Sequence, residues 1–82
     1  MYDLISYIVR GKVRLSILNV LDKPMTPTKI AEQLKNHRST ISRSLIDMEK
    51  RGFVKCLTPK EKTGRLYLIT KKGKSILKNI RK

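Results

Sequence analysis

Residues with reactive side chains are scarce in this chain of 82 residues, which has one cysteine, one histidine and six carboxylates. Cys56 has no second cysteine to pair with and cannot hold a metal alone, so we interpret it as a small packing residue in a strand. Asp47 and Glu49 are two positions apart and diverge on a helix. Glycine-rich phosphate loops are also missing. We therefore expect a protein that is not an enzyme and that binds no cofactor or metal.

Long apolar runs are also missing, since no stretch approaches the roughly 18 residues that cross a bilayer. The first ten residues include Asp3 and lack the basic segment with which a signal peptide begins. We expect a cytoplasmic protein that does not contact membranes. The length fits one domain, which we expect to cover residues 1–82.

Acidic residues are few, and the 20 lysines and arginines leave a net charge of +14. Fifteen basic and three acidic residues lie from Leu34 onward, which gives this part of the chain a net charge of +12. A surface of this kind favours a polyanionic partner, and nucleic acid fits best. A thermally adapted, lysine-rich surface is an alternative, but it would carry many matching glutamates. An anionic membrane surface is the other alternative.

Apolar residues repeated on one helical face predict the first two helices. The first helix, around residues 2–10, has such a face at Leu4, Ile5, Ile8 and Val9. The second runs from about residue 13 and stops near residues 22–24, because Pro24 cannot continue a helix.

The next two helices are predicted as a close pair. Thr26 suits the N-cap of the third helix and Pro27 its first position. A short polar turn at residues 35–37 separates it from a fourth helix, residues 38–51. The buried face of that helix is predicted from the spacing of Ile41, Leu45 and Met48. Gly52 fits the left-handed position that ends a helix.

After Gly52 the apolar period changes to that of a β-hairpin. The predicted strands are residues 53–58 and 65–69, joined by a polar turn at residues 59–64. Thr70 can cap a final helix with an apolar stripe at Ile76, Leu77 and Ile80. The predicted fold is mainly α with a small β-hairpin, and helical structure at residues 65–69 would contradict it.

The second helix of a close pair can enter the major groove of DNA. Here that helix is residues 38–51, and its buried face leaves polar side chains exposed at or near its first two turns. These side chains are Arg38, Ser39, Thr40, Ser42 and Arg43. Arginine pairs with guanine N7 and O6, and serine or threonine bonds to bases or phosphates. Asp47, four residues after Arg43, is assigned no role. An ordinary solvated amphipathic helix is the alternative.

The predicted turn of the hairpin is basic, with Lys60, Lys62 and Arg65 in or next to it. Such a turn can reach along the DNA backbone or into a minor groove. The alternative is a charged turn that keeps the edge of the sheet soluble.

Four segments in this order resemble winged helix-turn-helix regulators of the MarR and ArsR type. The segments are Thr26–Ala31, Arg38–Leu45, Glu49–Val54 and Leu66–Gly73. The resemblance implies a transcriptional regulator that binds double-stranded DNA. It also implies that the helix at about residues 38–51 is the recognition helix, which carries Arg38, Ser39, Thr40, Ser42 and Arg43. The hairpin loop at about residues 58–65 is then the wing, which carries Lys60, Lys62 and Arg65.

The chain departs from both types in ways that bear on ligands. ArsR-like metal sensors carry ligand sets that are missing here, where only Cys56 and His37 are available. We interpret His37 as a capping or phosphate-facing residue. MarR-like proteins are longer and frame a small-molecule pocket with their terminal helices, so we expect no effector here.

Two other functions stay open: a protein–protein interaction module and an RNA-binding module. An interaction module has no need of a +12 charge, and RNA readers stack bases on aromatic side chains. The aromatics here are few and are interpreted as packing residues, which favours duplex DNA.

Apolar residues at both ends of the chain exceed what one small core is expected to bury. Because exposed apolar patches mark interfaces, we expect a homodimer through the terminal helices. The alternative is that the terminal helices pack on each other within one chain. Symmetric pairing would place two recognition helices about 34 Å apart.

Overall fold

The structure is a computed structural model that describes residues 2–62 and 64–80, with the backbone alone for residues 2–5. In chain order the elements are α1 (Tyr2–Arg10), α2 (Lys12–Val20), α3 (Pro27–Leu34), α4 (Arg38–Lys50), β1 (Val54–Cys56), β2 (Tyr67–Ile69) and α5 (Lys71–Ile80). This order confirms the predicted fold, and residues 65–69 contain a strand rather than a helix. None of the described helices is long and apolar enough to cross a bilayer.

Local signals begin and end the helices where the sequence predicts. The Thr26 hydroxyl accepts a hydrogen bond from the Lys29 N–H at 3.2 Å, and Pro27 occupies the first turn of α3. Gly52 follows α4 with φ +84°, in the left-handed region that favours glycine. The Thr70 hydroxyl accepts from the Gly73 N–H at 3.1 Å and thereby caps α5.

The two strands pair antiparallel, with Val54 opposite Ile69 and Cys56 opposite Tyr67. They are shorter than the predicted 53–58 and 65–69. At one end, the Phe53 N–H bonds to the Met48 carbonyl and so finishes α4 instead of extending the ladder. At the other end, the Leu66 N–H bonds to a side chain, the Thr58 hydroxyl, at 3.0 Å. The chain between the strands therefore opens into a loop.

The core is centred on α2, which contacts α1, α3, α4 and α5. Ile41, Leu45 and Met48 of α4 are fully buried, as their spacing predicts. Cys56 packs against this core, which confirms its interpretation as a packing residue. No polar or charged side chain is buried among the described residues, so apolar packing alone holds the interior together.

The terminal helices pack on each other within one chain, and this corrects the expectation of surplus apolar surface. Ile8 and Ile76 are buried, and Leu77 and Ile80 are half-buried against the core. They fit because α1 and α5 contact each other and both contact α2. Val9 remains 50% exposed. The side chains of Leu4 and Ile5, part of the same predicted face, lie outside the described residues.

Gly73 lies at a close approach between α5 and the residues of the hairpin. A Cβ there would press on the Phe53 carbonyl oxygen and lie 2.7 Å from Ile69 Cγ1. That carbonyl accepts the Thr70 N–H at 3.0 Å, so it cannot move away without breaking the start of α5.

We expect Gly73→Ala to lower the free energy of unfolding by about 1–3 kcal/mol because of this overpacking. The effect opposes the gain of roughly 0.5–1 kcal/mol that alanine normally brings to a helix. Urea unfolding measures it, with Ser75→Ala as the matched control, since Ser75 is exposed on the same helix. Equal stability of the two variants would contradict the close approach.

Candidate nucleic-acid interface

One stripe of α4 faces away from the core. Ser39, Arg43, Ile46 and Lys50 are all exposed and recur every three or four residues, on the side of the helix opposite Ile41, Leu45 and Met48. We call these four residues the outward stripe. Arg38 to Ile46, the first nine residues of α4, include no acidic residue. The stripe therefore combines two cations, a hydroxyl and one apolar group on an exposed surface.

The predicted recognition residues do not all lie on this stripe. Ser39 and Arg43 belong to it, whereas Arg38 and the half-buried Ser42 lie on the side facing the wing. Thr40 is exposed on the face of α4 that carries Asp47 seven residues later. Five residues predicted as one group therefore occupy three neighbouring sides of the helix.

A cleft of ≈ 340 Å³ lies between α4 and the wing, and residues of both predicted sites line it. It is lined by residues of α3, α4, the loop and β2: Pro27, Thr28, Arg38, Ser42, Ile46, Lys62, Gly64, Arg65 and Tyr67. Arg38 and Ser42 thus face Lys62 and Arg65 across one cleft. Lys60 is exposed on the same loop as Lys62 but does not line the cleft.

The wing is shaped by its own hydrogen bonds. Arg65 Nε donates to the Glu61 carbonyl at 2.6 Å, and the Glu61 N–H donates to the Thr58 carbonyl at 3.1 Å. Gly64 has φ +68° and lets the chain turn back toward β2. Arg65 therefore holds the shape of the wing, while Lys60 and Lys62 extend into solvent. Thr63, part of the predicted turn, lies outside the described residues.

A cluster around Tyr7 joins α1 to the back of α4. The Tyr7 hydroxyl donates to Asp47 Oδ2, and Arg51 Nε donates to the same oxygen at 3.4 Å. The guanidinium carbons of Arg14 and Arg51 lie 4.0 and 3.9 Å from the Tyr7 ring centroid. The ring also stacks on Phe53 with 6.0 Å between centroids. One tyrosine thus links α1, α2, α4 and the start of the hairpin.

This cluster gives Asp47 a role that the sequence analysis did not assign. The hydrogen bond from Tyr7, helped by the Arg51 charge, lowers the pKa of the Asp47 carboxyl. Burial, followed by the bond to this carboxylate, raises the pKa of Tyr7. Asp47 is therefore held as an anion against α1, and Arg51 partly neutralises it.

His37 occupies the N-cap position of α4, but its side chain makes no capping hydrogen bond. The His37 N–H itself donates to the side-chain oxygen of Asn36 at 2.7 Å. His37 is therefore the capping residue of α4 by position but not through its side chain, and its phosphate-facing role stays a prediction. No cluster of three potential metal ligands occurs in the described part of the chain.

The sequence analysis missed Ile46 and Lys50, because it considered only the first two turns of α4. The signal was present in the spacing, since both residues continue the series that begins with Ser39 and Arg43. Following the face opposite the buried residues along the whole helix would have identified both.

Known proteins share both the sequence pattern and the fold. The winged helix-turn-helix family profile matches residues 10–82. The structure is similar to a MarR family transcription regulator, SP03579, with a TM-score of 0.76 and 22% identity. It is also similar to HlyU from Vibrio cholerae N16961, with a TM-score of 0.71 and 19% identity. A third similar structure is the transcriptional regulator SlyA, with a TM-score of 0.70 and 29% identity.

Each of these three similarities covers 98% of this chain. The chain spans 91% of HlyU, but only 60% of SP03579 and 62% of SlyA. It therefore corresponds to part of the two longer regulators. No curated protein sequence matches the chain significantly.

We expect Tyr7→Phe to lower the free energy of unfolding by about 1 kcal/mol at pH 7, because it removes only the hydroxyl bonded to Asp47. The pKa of Asp47 is lowered in the folded chain, so the bond stabilises the fold above the unfolded carboxyl pKa. This stabilisation is lost as pH falls through the folded value. The difference between wild type and variant should therefore shrink toward pH 2.

Urea unfolding at several pH values measures this difference. Asp22→Asn is the matched control, because it removes an exposed carboxylate between α2 and α3 and leaves the bond between Tyr7 and Asp47 in place. A Tyr7→Phe difference that stays constant from pH 7 to pH 2 would contradict the bond.

Proposed function

Since this chain belongs to the winged helix-turn-helix family, we propose that residues 1–82 form one DNA-binding domain of a cytoplasmic transcriptional regulator, which binds a specific sequence of double-stranded DNA. The observation that carries the proposal is the cleft in which Arg38 and Ser42 of α4 face Lys62 and Arg65 of the wing. The proposal includes no catalytic step, in keeping with a fold shared with transcription regulators.

In this proposal α4 lies in the major groove, which is wide enough to admit a helix. Arg43 is the best candidate for reading a base, because it is exposed near the middle of the outward stripe and can pair with guanine N7 and O6. Ser39 and Thr40 offer hydroxyls to bases or phosphates at the start of the helix. Lys50, at its end, suits a phosphate contact.

The wing supplies contacts to the backbone or the minor groove. Lys60 and Lys62 are exposed and free to follow phosphates, which carry no sequence information. Arg65 has a second role in the wing, because its guanidinium is already bonded to the Glu61 carbonyl. Its loss should therefore disturb the shape of the wing as well as its charge.

The burial of the aromatic rings favours duplex DNA over single-stranded RNA. Phe53 and Tyr67 are buried, and the half-buried Tyr7 ring is already in contact with two guanidiniums and with the Phe53 ring. No described aromatic side chain is thus available to stack on an unpaired base. A protein–protein interaction module is disfavoured by the basic residues that line the cleft.

The homodimer remains part of the proposal, with a narrower basis than the sequence analysis supposed. Val9 of α1 is half exposed, and Leu77 and Ile80 of α5 are only half-buried. We expect light scattering at micromolar concentration to give the mass of two chains for the free protein, and the mass of two chains plus one duplex when DNA is present. A monomeric mass under both conditions would contradict the dimer.

We expect two separable effects on DNA binding, measured as affinity for a selected duplex and a scrambled one over a range of salt. Arg43→Ala should weaken binding to the selected duplex by about 1–3 kcal/mol and change the affinity for the scrambled duplex much less. The double variant with Lys60→Gln and Lys62→Gln should bind both duplexes more weakly. The slope of log affinity against log salt concentration should fall by roughly one per lost phosphate contact. Adding Arg65→Gln gives a triple wing variant, which should bind both duplexes more weakly still.

Lys23→Ala is the matched control, because it removes one exposed charge between α2 and α3. An equal loss for both duplexes with Arg43→Ala would contradict its base-reading role. A wild-type salt slope in the triple wing variant would exclude the wing from the interface.

A further inference from the structure

Ile46 is a large apolar side chain that the fold does not use. It is 47% exposed, whereas the other large apolar residues of α4, Ile41, Leu45 and Met48, are fully buried. It follows Leu45 directly, and the helical rotation of about 100° per residue carries it out of the core. Its exposure is thus set by the position and not by incomplete packing of the helix.

The surroundings of Ile46 are polar and positively charged. It lines the cleft between α4 and the wing together with Arg38, Ser42, Lys62 and Arg65. It is also part of the outward stripe, one turn after Arg43. Single exposed apolar residues are common on protein surfaces and need no explanation. An isoleucine within a cleft of cations and hydroxyls is different, because any ligand drawn to those cations covers it.

A duplex whose major groove holds α4 would present one apolar group there, the C5 methyl of thymine. We propose that Ile46 is a specificity-determining residue that packs against a thymine methyl in the DNA site. The inference rests on the proposed function, because it requires α4 to lie in the major groove. Arginine and serine distinguish bases by donors and acceptors, and Ile46 adds a contact that depends on the methyl alone.

Deoxyuridine tests this contact directly, because it pairs as thymidine does and lacks only the methyl. Each thymidine of a selected duplex is replaced in turn, and affinity is measured for wild type and for Ile46→Ala. Burial of one methyl-sized group corresponds to about a fourfold change in affinity. We expect replacement at one or two positions to weaken wild-type binding about fourfold. Ile46→Ala should bind the thymidine duplex more weakly and show no sensitivity to those replacements.

Leu57→Ala is the matched control, because Leu57 is a comparably exposed apolar residue next to β1 that does not line the cleft. It should keep the wild-type sensitivity to deoxyuridine. The inference is overturned if wild type tolerates deoxyuridine at every position, or if Ile46→Ala remains as sensitive as wild type. Failure of wild type to prefer any duplex would overturn the proposed function itself, and this inference with it.

Discussion

Three side chains on one face of α4, Ile41, Leu45 and Met48, are removed completely from water by a core centred on α2. Burial of each contributes about 1.5–3 kcal/mol, so the three together are comparable to the whole stability of a small domain. Rotating α4 by one residue, about 100°, would expose part of this set. The helix is therefore held in one rotational position, and that position determines which side chains reach a partner.

Further contacts fix the ends of the helix and the position of the wing. Tyr7 holds the last turns of α4 to α1 through Asp47. Beyond α4, the Thr70 hydroxyl donates to the Gly52 carbonyl at 2.6 Å, which ties the start of α5 to the residue that ends α4. Phe53 is fully buried at this junction. Because the hairpin begins there, the wing is placed against the side of α4 that carries Arg38 and Ser42.

The sequence predicted those features that depend on neighbouring residues. Thr26, Gly52 and Thr70 end or begin helices through bonds spanning three or four positions, and the buried face of α4 follows from helical spacing. Contacts between distant residues were not predictable. Tyr7 and Asp47 are 40 positions apart. The burial of Ile76 and the half-burial of Ile80 depend on how closely α5 packs on α1, which no local pattern specifies.

The central claim is that the exposed side of α4 and the wing form one DNA-binding surface. A titration of isotopically labelled protein with a selected duplex, followed by NMR, tests it residue by residue. The account predicts that the largest chemical-shift changes on binding fall on the outward stripe, Ser39, Arg43, Ile46 and Lys50, and on the wing around Lys62. The outward lysines of α5, Lys71, Lys74 and Lys78, should change little. The largest changes on α5, with α4 unaffected, would contradict the account.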